Sequence, residues 1–206
     1  MNLQTQRLQL AGAAGRVQAL RDEPPGTAQG VAVIAHPHPL FGGTMDNKVV
    51  QTIARAFVQA GWSAVRFNFR GVGESEGSYD EGRGEADDLL AVIEQVAPQG
   101  PIALAGFSFG AFVAAQALER LWPARQPERI VLVGTAAARF QVTALPPESH
   151  ERTLVVHGEL DETVPLAAAL DWARPQSLPV TVVPGVEHFF HGKLPILKSL
   201  VLRHLR

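Results

Sequence analysis

Apolar positions along this chain follow two rhythms that take turns. Short apolar runs at residues 30–35 (GVAVIA), 63–69, 101–105, 129–134, 152–157 and 180–183 have the length of strands. The first of these is apolar at every position, as a parallel strand buried on both faces must be. Between the runs the period lengthens to that of a helix. Val49, Val50, Ile53, Ala54, Phe57 and Val58 form one apolar stripe, opened by Asp46 or Asn47 as a cap and closed by Gly61. Ala86, Leu89, Leu90 and Ile93 form a second over residues 84–96, and Ala111, Ala114, Ala115 and Leu118 a third that ends near Trp122-Pro123. Residues 166–173 and 193–206 read as two further helices. Upstream, residues 3–10 and 16–21 flank a glycine turn at 12–15 and predict an antiparallel hairpin at a sheet edge. From residue 30 onward strand and helix alternate, with no repeat or linker. That order predicts one α/β domain over residues 1–206, with a mostly parallel twisted sheet, right-handed crossovers and helices on both faces.

Composition narrows the chemistry. With 46% hydrophobic and 18% charged residues in a chain of 206, a folded core is expected. The net charge of −2 comes without a basic stripe, which excludes a nucleic-acid partner, and without a like-charge tail. There is no cysteine, so disulfides, thiolate zinc sites and a cysteine nucleophile are excluded together, and a reducing, cytoplasmic setting is expected. The opening MNLQTQRLQL has no long apolar segment of a signal peptide, and no apolar run nears the ~18 residues of a membrane span.

The sharpest motif is Gly106-Phe107-Ser108-Phe109-Gly110, a G-x-S-x-G between a predicted strand and a predicted helix. In that context the serine sits at a sharp turn with its hydroxyl lifted clear, and the glycines remove Cβ atoms that would collide. A serine needs a base, and the base an orienting acid. In an open parallel sheet such groups gather just beyond the carboxyl ends of strands. Asp161 follows the strand ending at His157, and His188 follows the last strand, giving the order Ser, Asp, His. Glu159 and Glu162 compete for the acid's role and His191 for the base's. His36 and His38 suggest a metal pair, but no third ligand of matching spacing follows, so no metal or other cofactor is expected. Gly71-Val72-Gly73 lacks the spacing of a dinucleotide loop.

The segments HPHPLFGGTMDNKVV (36–50), RFNFRGVGESEG (66–77), GFSFGA (106–111), HGELDETVP (157–165) and GVEHFFHG (185–192) together resemble the α/β-hydrolase superfamily, and more closely its small, lidless bacterial serine hydrolases. The resemblance spans nearly the whole chain. It implies an α/β-hydrolase fold with no cap domain, since only residues 135–151 separate the two strands between which a cap is usually inserted. It departs from the wider superfamily at Asn68, where many members carry an acid before Arg-Gly. It implies a triad of Ser108, Asp161 and His188 acting on a small carboxylic ester or thioester, with a small-substrate peptidase or a non-catalytic binder as alternatives. The oxyanion hole is expected to use the Phe109 amide and one from the loop after residue 35. Pro37 and Pro39 have no N–H, which leaves His38 or Leu40, and similarity favours Leu40. Leu40, Phe41, Phe189 and Phe190 are expected to wall an open, shallow site, with Phe41, Phe189 and Phe190 touching substrate; Phe107, Phe109 and Phe112 are weighed between an acyl pocket and plain core.

Overall fold

In the computed structural model, which describes residues 5–206, the N-terminal alternation becomes a hairpin of Thr5–Gly12 (β1) and Gly15–Asp22 (β2). The first two positions of the predicted strand, Leu3 and Gln4, lie outside the described residues. Six more strands follow: Val31–Ala35 (β3), Ser63–Phe67 (β4), Ile102–Phe107 (β5), Arg129–Val133 (β6), Thr153–Gly158 (β7) and Val180–Val183 (β8). They form one sheet in the order β1-β2-β4-β3-β5-β6-β7-β8. β2 pairs antiparallel with β1 and β4, and every pairing from β4 through β8 is parallel.

Alternation along the central strands sends successive side chains into two separate cores. Ala32 and Ile34 of β3, Ala103 and Ala105 of β5, and Val131 and Val133 of β6 face Lys48–Gln59 (α1) and Leu194–His204 (α5). Val33, Leu104, Ile130 and Leu132 face the other way, toward Arg83–Val96 (α2), Phe109–Leu121 (α3) and Leu166–Ala173 (α4). Residues apolar on both faces are what this two-sided burial requires. Asn47 caps α1, its Oδ1 accepting from the Val49 amide at 2.8 Å. Glu85 closes the start of α2 by accepting from the amides of Asp80 and Gly82.

Three element boundaries differ from the sequence expectation for a reason. β5 runs two residues further, through Gly106 and Phe107, because those residues pair with Ala35 of β3 and Val133 of β6. The third helix starts at Phe109 rather than Ala111, so the strand-to-helix turn is a single residue, Ser108. β4 stops at Phe67, because Asn68 turns away to accept from the Met45 amide at 2.9 Å and donate to Gln18 at 2.7 Å. The amide at position 68 thus ties the chain after β4 to the loop after β3. Residues 135–151 hold no α-helix, only the start of a short 3-10 turn over Pro147–Arg152, so there is no cap. Among the described residues no helix is long and apolar enough to cross a membrane.

The chain leaving β4 is pinned to α2 by charge. Arg70 donates two parallel bonds to Asp88, Nε to Oδ2 at 2.9 Å and Nη2 to Oδ1 at 2.8 Å, and its amide adds a third. Asp88 is buried, and a Cβ at Gly84 would lie 1.9 Å from Arg70 Nη1, so the helix offers a glycine where the guanidinium crosses it. Removing one partner of such a pair strands the other charge, which costs about 3–5 kcal/mol. Asp88→Ala is therefore expected to lower unfolding free energy in urea by about that much. A loss below about 1 kcal/mol would show that the pair is as weak as a surface contact.

Candidate active site

Ser108 occupies the left-handed region with φ 57° and ψ −114°, a conformation that L-residues rarely adopt. Its amide is held by the Val133 carbonyl at 2.8 Å, the last rung of the ladder to β6, while its own carbonyl accepts the first bonds of α3. The flanking glycines are required by contact distances. A Cβ at Gly106 would sit 2.2 Å from the Gly110 carbonyl oxygen, and one at Gly110 would sit 2.3 Å from that of Ala35. With both absent, α3 closes tightly over β5 and β3, and the serine projects at the end of the sheet. Being first in its helix, the Phe109 amide has no intrahelical acceptor.

Asp161 and His188 come together from loops after β7 and β8. His188 Nδ1 lies 2.6 Å from Asp161 Oδ2, and both side chains are buried. The other carboxylate oxygen accepts from the amides of Thr163 at 3.0 Å and Val164 at 2.7 Å. An ionised carboxylate can only accept, so Nδ1 carries the proton and Nε2 presents its lone pair. The imidazole is wedged against the Phe107 ring, with centroids 4.9 Å apart, and against Phe189 at 5.0 Å. Gly134 leaves room for it, since a Cβ there would lie 3.1 Å from His188 Cε1. His188 and Ser108 line the same cleft of about 230 Å³. No hydrogen bond links them in this structure; such bonds are often long before substrate binds.

The rivals are occupied elsewhere. Glu159 accepts from the Gly185 amide, Glu162 is exposed, and His191 pairs on the surface with Glu187 at 3.0 Å. Two further histidines are buried and held neutral. His157 gives Nε2–H to the Val164 carbonyl at 2.8 Å, stands 3.4 Å from Asp161 Oδ2, and has its pKa lowered chiefly by burial. His36 accepts the Phe69 amide on Nε2 at 3.0 Å, so its Nδ1–H donates to Pro37 O at 2.6 Å; burial lowers its pKa to about 4. His36 thereby fastens the loop after β3 to the chain leaving β4.

Two expected site residues are corrected. Leu40 is 67% exposed and outside the cleft, and its amide already donates to His38 Nδ1 at 3.2 Å, so it is no oxyanion donor. The His38 amide has no acceptor among the described residues and belongs to a residue that lines the cleft. Phe190 does not touch substrate: its side chain is 0% exposed, turned into the core beside α1 and α5 by a backbone with φ 56°. Phe41 and Phe189 do line the cleft, as does Phe109. Phe112 is core, stacked on Phe140 at 4.6 Å. Sequence reasoning missed Arg139 and Phe140, which enter the cleft from the segment after β6, because that segment has no periodicity to orient its side chains. A larger open depression of about 730 Å³ lies around Asp22, Arg55, Arg66 and Lys198 and is lined by no serine, threonine or histidine. Among the described residues no cluster of three His, Asp or Glu could hold a metal.

An eight-stranded, mostly parallel sheet with a serine on a strained strand-to-helix turn defines an α/β serine hydrolase. The chain belongs to the family described as serine aminopeptidase, S33, whose model matches residues 27–151, past Ser108 but short of Asp161 and His188. It is similar to a lidless α/β serine hydrolase of Xanthomonas campestris, with 35% identity and a TM-score of 0.88 over 100% of this chain and 95% of that one. An α/β serine hydrolase homologue of Coxiella burnetii is 38% identical at a TM-score of 0.83, over 98% of this chain and 97% of that one. A curated protein of Rickettsia prowazekii (strain Madrid E), itself uncharacterized, is 38% identical over 113 residues, 53% of this chain. The match spans about half of that protein, 48%.

The buried His36 makes a pH prediction with a definite sign. Its pKa near 4 when folded lies below the usual value of 6.5, so the unfolded chain takes up the proton first as pH falls. Stability from this group is complete above about pH 6.5, drains away between there and about pH 4, and amounts to on the order of 3 kcal/mol. His36→Gln should lower the melting temperature at pH 7 and flatten its fall between pH 6.5 and 4. An unchanged slope would mean that His36 does not carry this acid sensitivity.

Proposed function

We propose that this chain hydrolyses small carboxylic esters or thioesters through an acyl-enzyme on Ser108. The observation that carries the reading is the 2.6 Å bond from His188 to the buried Asp161, which points Nε2 toward the cleft where Ser108 is held in its strained turn. His188 Nε2 takes the Ser108 proton as Oγ adds to the carbonyl carbon. The carbonyl electron pair moves to oxygen, and the amides of Phe109 and His38 receive the oxyanion. Collapse expels the alcohol or thiol, which leaves with the proton from His188. Water then repeats the sequence on the acyl-enzyme, releasing the acid and restoring Ser108. Throughout, Asp161 holds the tautomer and offsets the charge of the imidazolium.

The family's description favours a second reading, a peptidase on small substrates, by the same steps. An aminopeptidase must recognise a terminal ammonium, and a carboxylate in the cleft would do so. No Asp or Glu lines this one, which supports the ester reading. A binder without catalysis has no need of a buried acid–histidine pair behind a serine.

Ser108→Ala is expected to lower ester turnover by about 10³-fold or more while leaving the melting temperature near that of the wild type. His188→Ala should match that loss, whereas His191→Ala should stay within about twofold, being an exposed surface residue. Loss of activity with His191 rather than His188 would reassign the base. The absence of a cap sets chain-length preference. Each CH₂ contributes only about 0.8 kcal/mol when truly buried, and an open cleft of about 230 Å³ buries few of them. Across p-nitrophenyl esters from acetate to palmitate, short acyl chains should be turned over fastest, without activation by an emulsified phase. A preference for palmitate, or a jump on emulsification, would contradict an uncapped site.

A further inference from the structure

The cleft over Ser108 contains one full charge that no step of the hydrolysis uses. Arg139 lies in the segment after β6 and lines the cleft with Ser108 and His188. Its guanidinium carbon stands 5.3 Å from the centroid of the Phe41 ring. The His38 ring packs against Phe41 at a tilt of 55°, with centroids 4.6 Å apart. The charge is felt there too: after burial, Arg139 is the second cause lowering the His38 pKa. An arginine laid on an aromatic face is restricted in its rotamers even where, as here, both side chains are exposed, so less entropy remains to be lost when it binds an anion.

Arg139 is exposed and, among the described residues, has no carboxylate partner, whereas the buried Arg66 and the half-buried Arg70 each meet an aspartate within 3.2 Å. Among the described residues no carboxylate lies within 4.0 Å of Arg139, and none lines the cleft. A cation without a partner at the mouth of a cleft that contains no carboxylate raises the local potential for anions at that spot.

We propose that Arg139 selects substrates that carry a carboxylate close to the scissile ester or thioester bond, pairing with it while Ser108 attacks. This rests on the reading of Ser108 as nucleophile. The carboxylate can belong to the acyl half or to the leaving alcohol, and matched esters separate the two. For the acyl side the pair is monomethyl glutarate and methyl pentanoate. For the alcohol side it is the butanoate ester of para-hydroxybenzoate and phenyl butanoate. Each ester is followed by acid release on the wild type, Arg139→Met and Arg139→Lys. Taking the wild-type to variant ratio for each ester cancels differences in intrinsic reactivity.

Arg139→Met should lower kcat/KM for at least one charged ester about tenfold more than for its neutral partner, the size expected of a charge-assisted contact. The pair that shows the loss identifies the half bearing the carboxylate. Arg139→Lys should recover most of the ratio, and high sodium chloride should erode the wild-type preference. Equal losses on charged and neutral esters would reduce Arg139 to packing on Phe41, and no loss on either would remove it from recognition; both overturn the proposal. Turnover of the neutral esters that vanishes in Ser108→Ala keeps the nucleophile standing when selectivity fails. Failure to cleave any of the four overturns both readings.

Discussion

One residue in a left-handed conformation sets the terms for the rest of this molecule. Ser108 is not glycine, and holding it at φ 57° costs on the order of 1–3 kcal/mol. The surrounding structure leaves it no alternative. β5 is paired with β3 up to Gly106 and with β6 up to Phe107, the residue before it, and α3 starts at the residue after it. The helix can begin so abruptly only because Gly106 and Gly110 let backbone pass within a distance that no Cβ allows. The position of β5 at the middle of the sheet then brings the loops after β3, β6, β7 and β8 around one point. His38, Arg139, Asp161 and His188 each arrive from one of them.

Around that point, burial does the electrostatic sorting. Three histidines lie inside the protein, and only His188 hydrogen-bonds a carboxylate, at 2.6 Å from Asp161 Oδ2 against 3.4 Å for His157. His36 and His157 bond mainly to backbone, and burial holds both in the neutral form. Neutral imidazoles can brace loops without adding charge beside the cleft that Ser108 and His188 line. Asp161 is in turn fixed by two backbone amides, so the acid is oriented by its own turn before it orients the histidine. The same logic accounts for Glu159 and Glu162: two residues before Asp161 the side chain accepts from the Gly185 amide, and one residue after it the chain faces solvent.

The parts of this account that were legible in the sequence are those with a short-range cause. Periodicity placed the central strands and helices because burial on two faces imposes it, and the G-x-S-x-G read correctly because its glycines answer to local contacts. The position of Asp161 and His188 followed from strand ends in a parallel sheet. Loop side chains were another matter. Phe189 and Phe190 are identical in type and adjacent, yet one is 41% exposed in the cleft and the other fully buried, decided by a single positive φ. Proline excludes positions 37 and 39 but leaves both His38 and Leu40, and the resemblance that favours Leu40 carries no sign that its amide donates to the ring of His38. Arg139 carried no sequence signal at all, lying in the segment without periodicity that also shows there is no cap.

The claim on which all of this rests is that Ser108 alone is made nucleophilic by the turn and by His188. Brief exposure of the intact protein to a fluorophosphonate, followed by whole-protein mass measurement and mapping of the labelled peptide, tests it directly. The account predicts one phosphonyl adduct, on Ser108, formed rapidly in the wild type, slowed strongly in His188→Ala, and absent in Ser108→Ala. Labelling at another serine, or labelling of Ser108 at the same rate without His188, would contradict it.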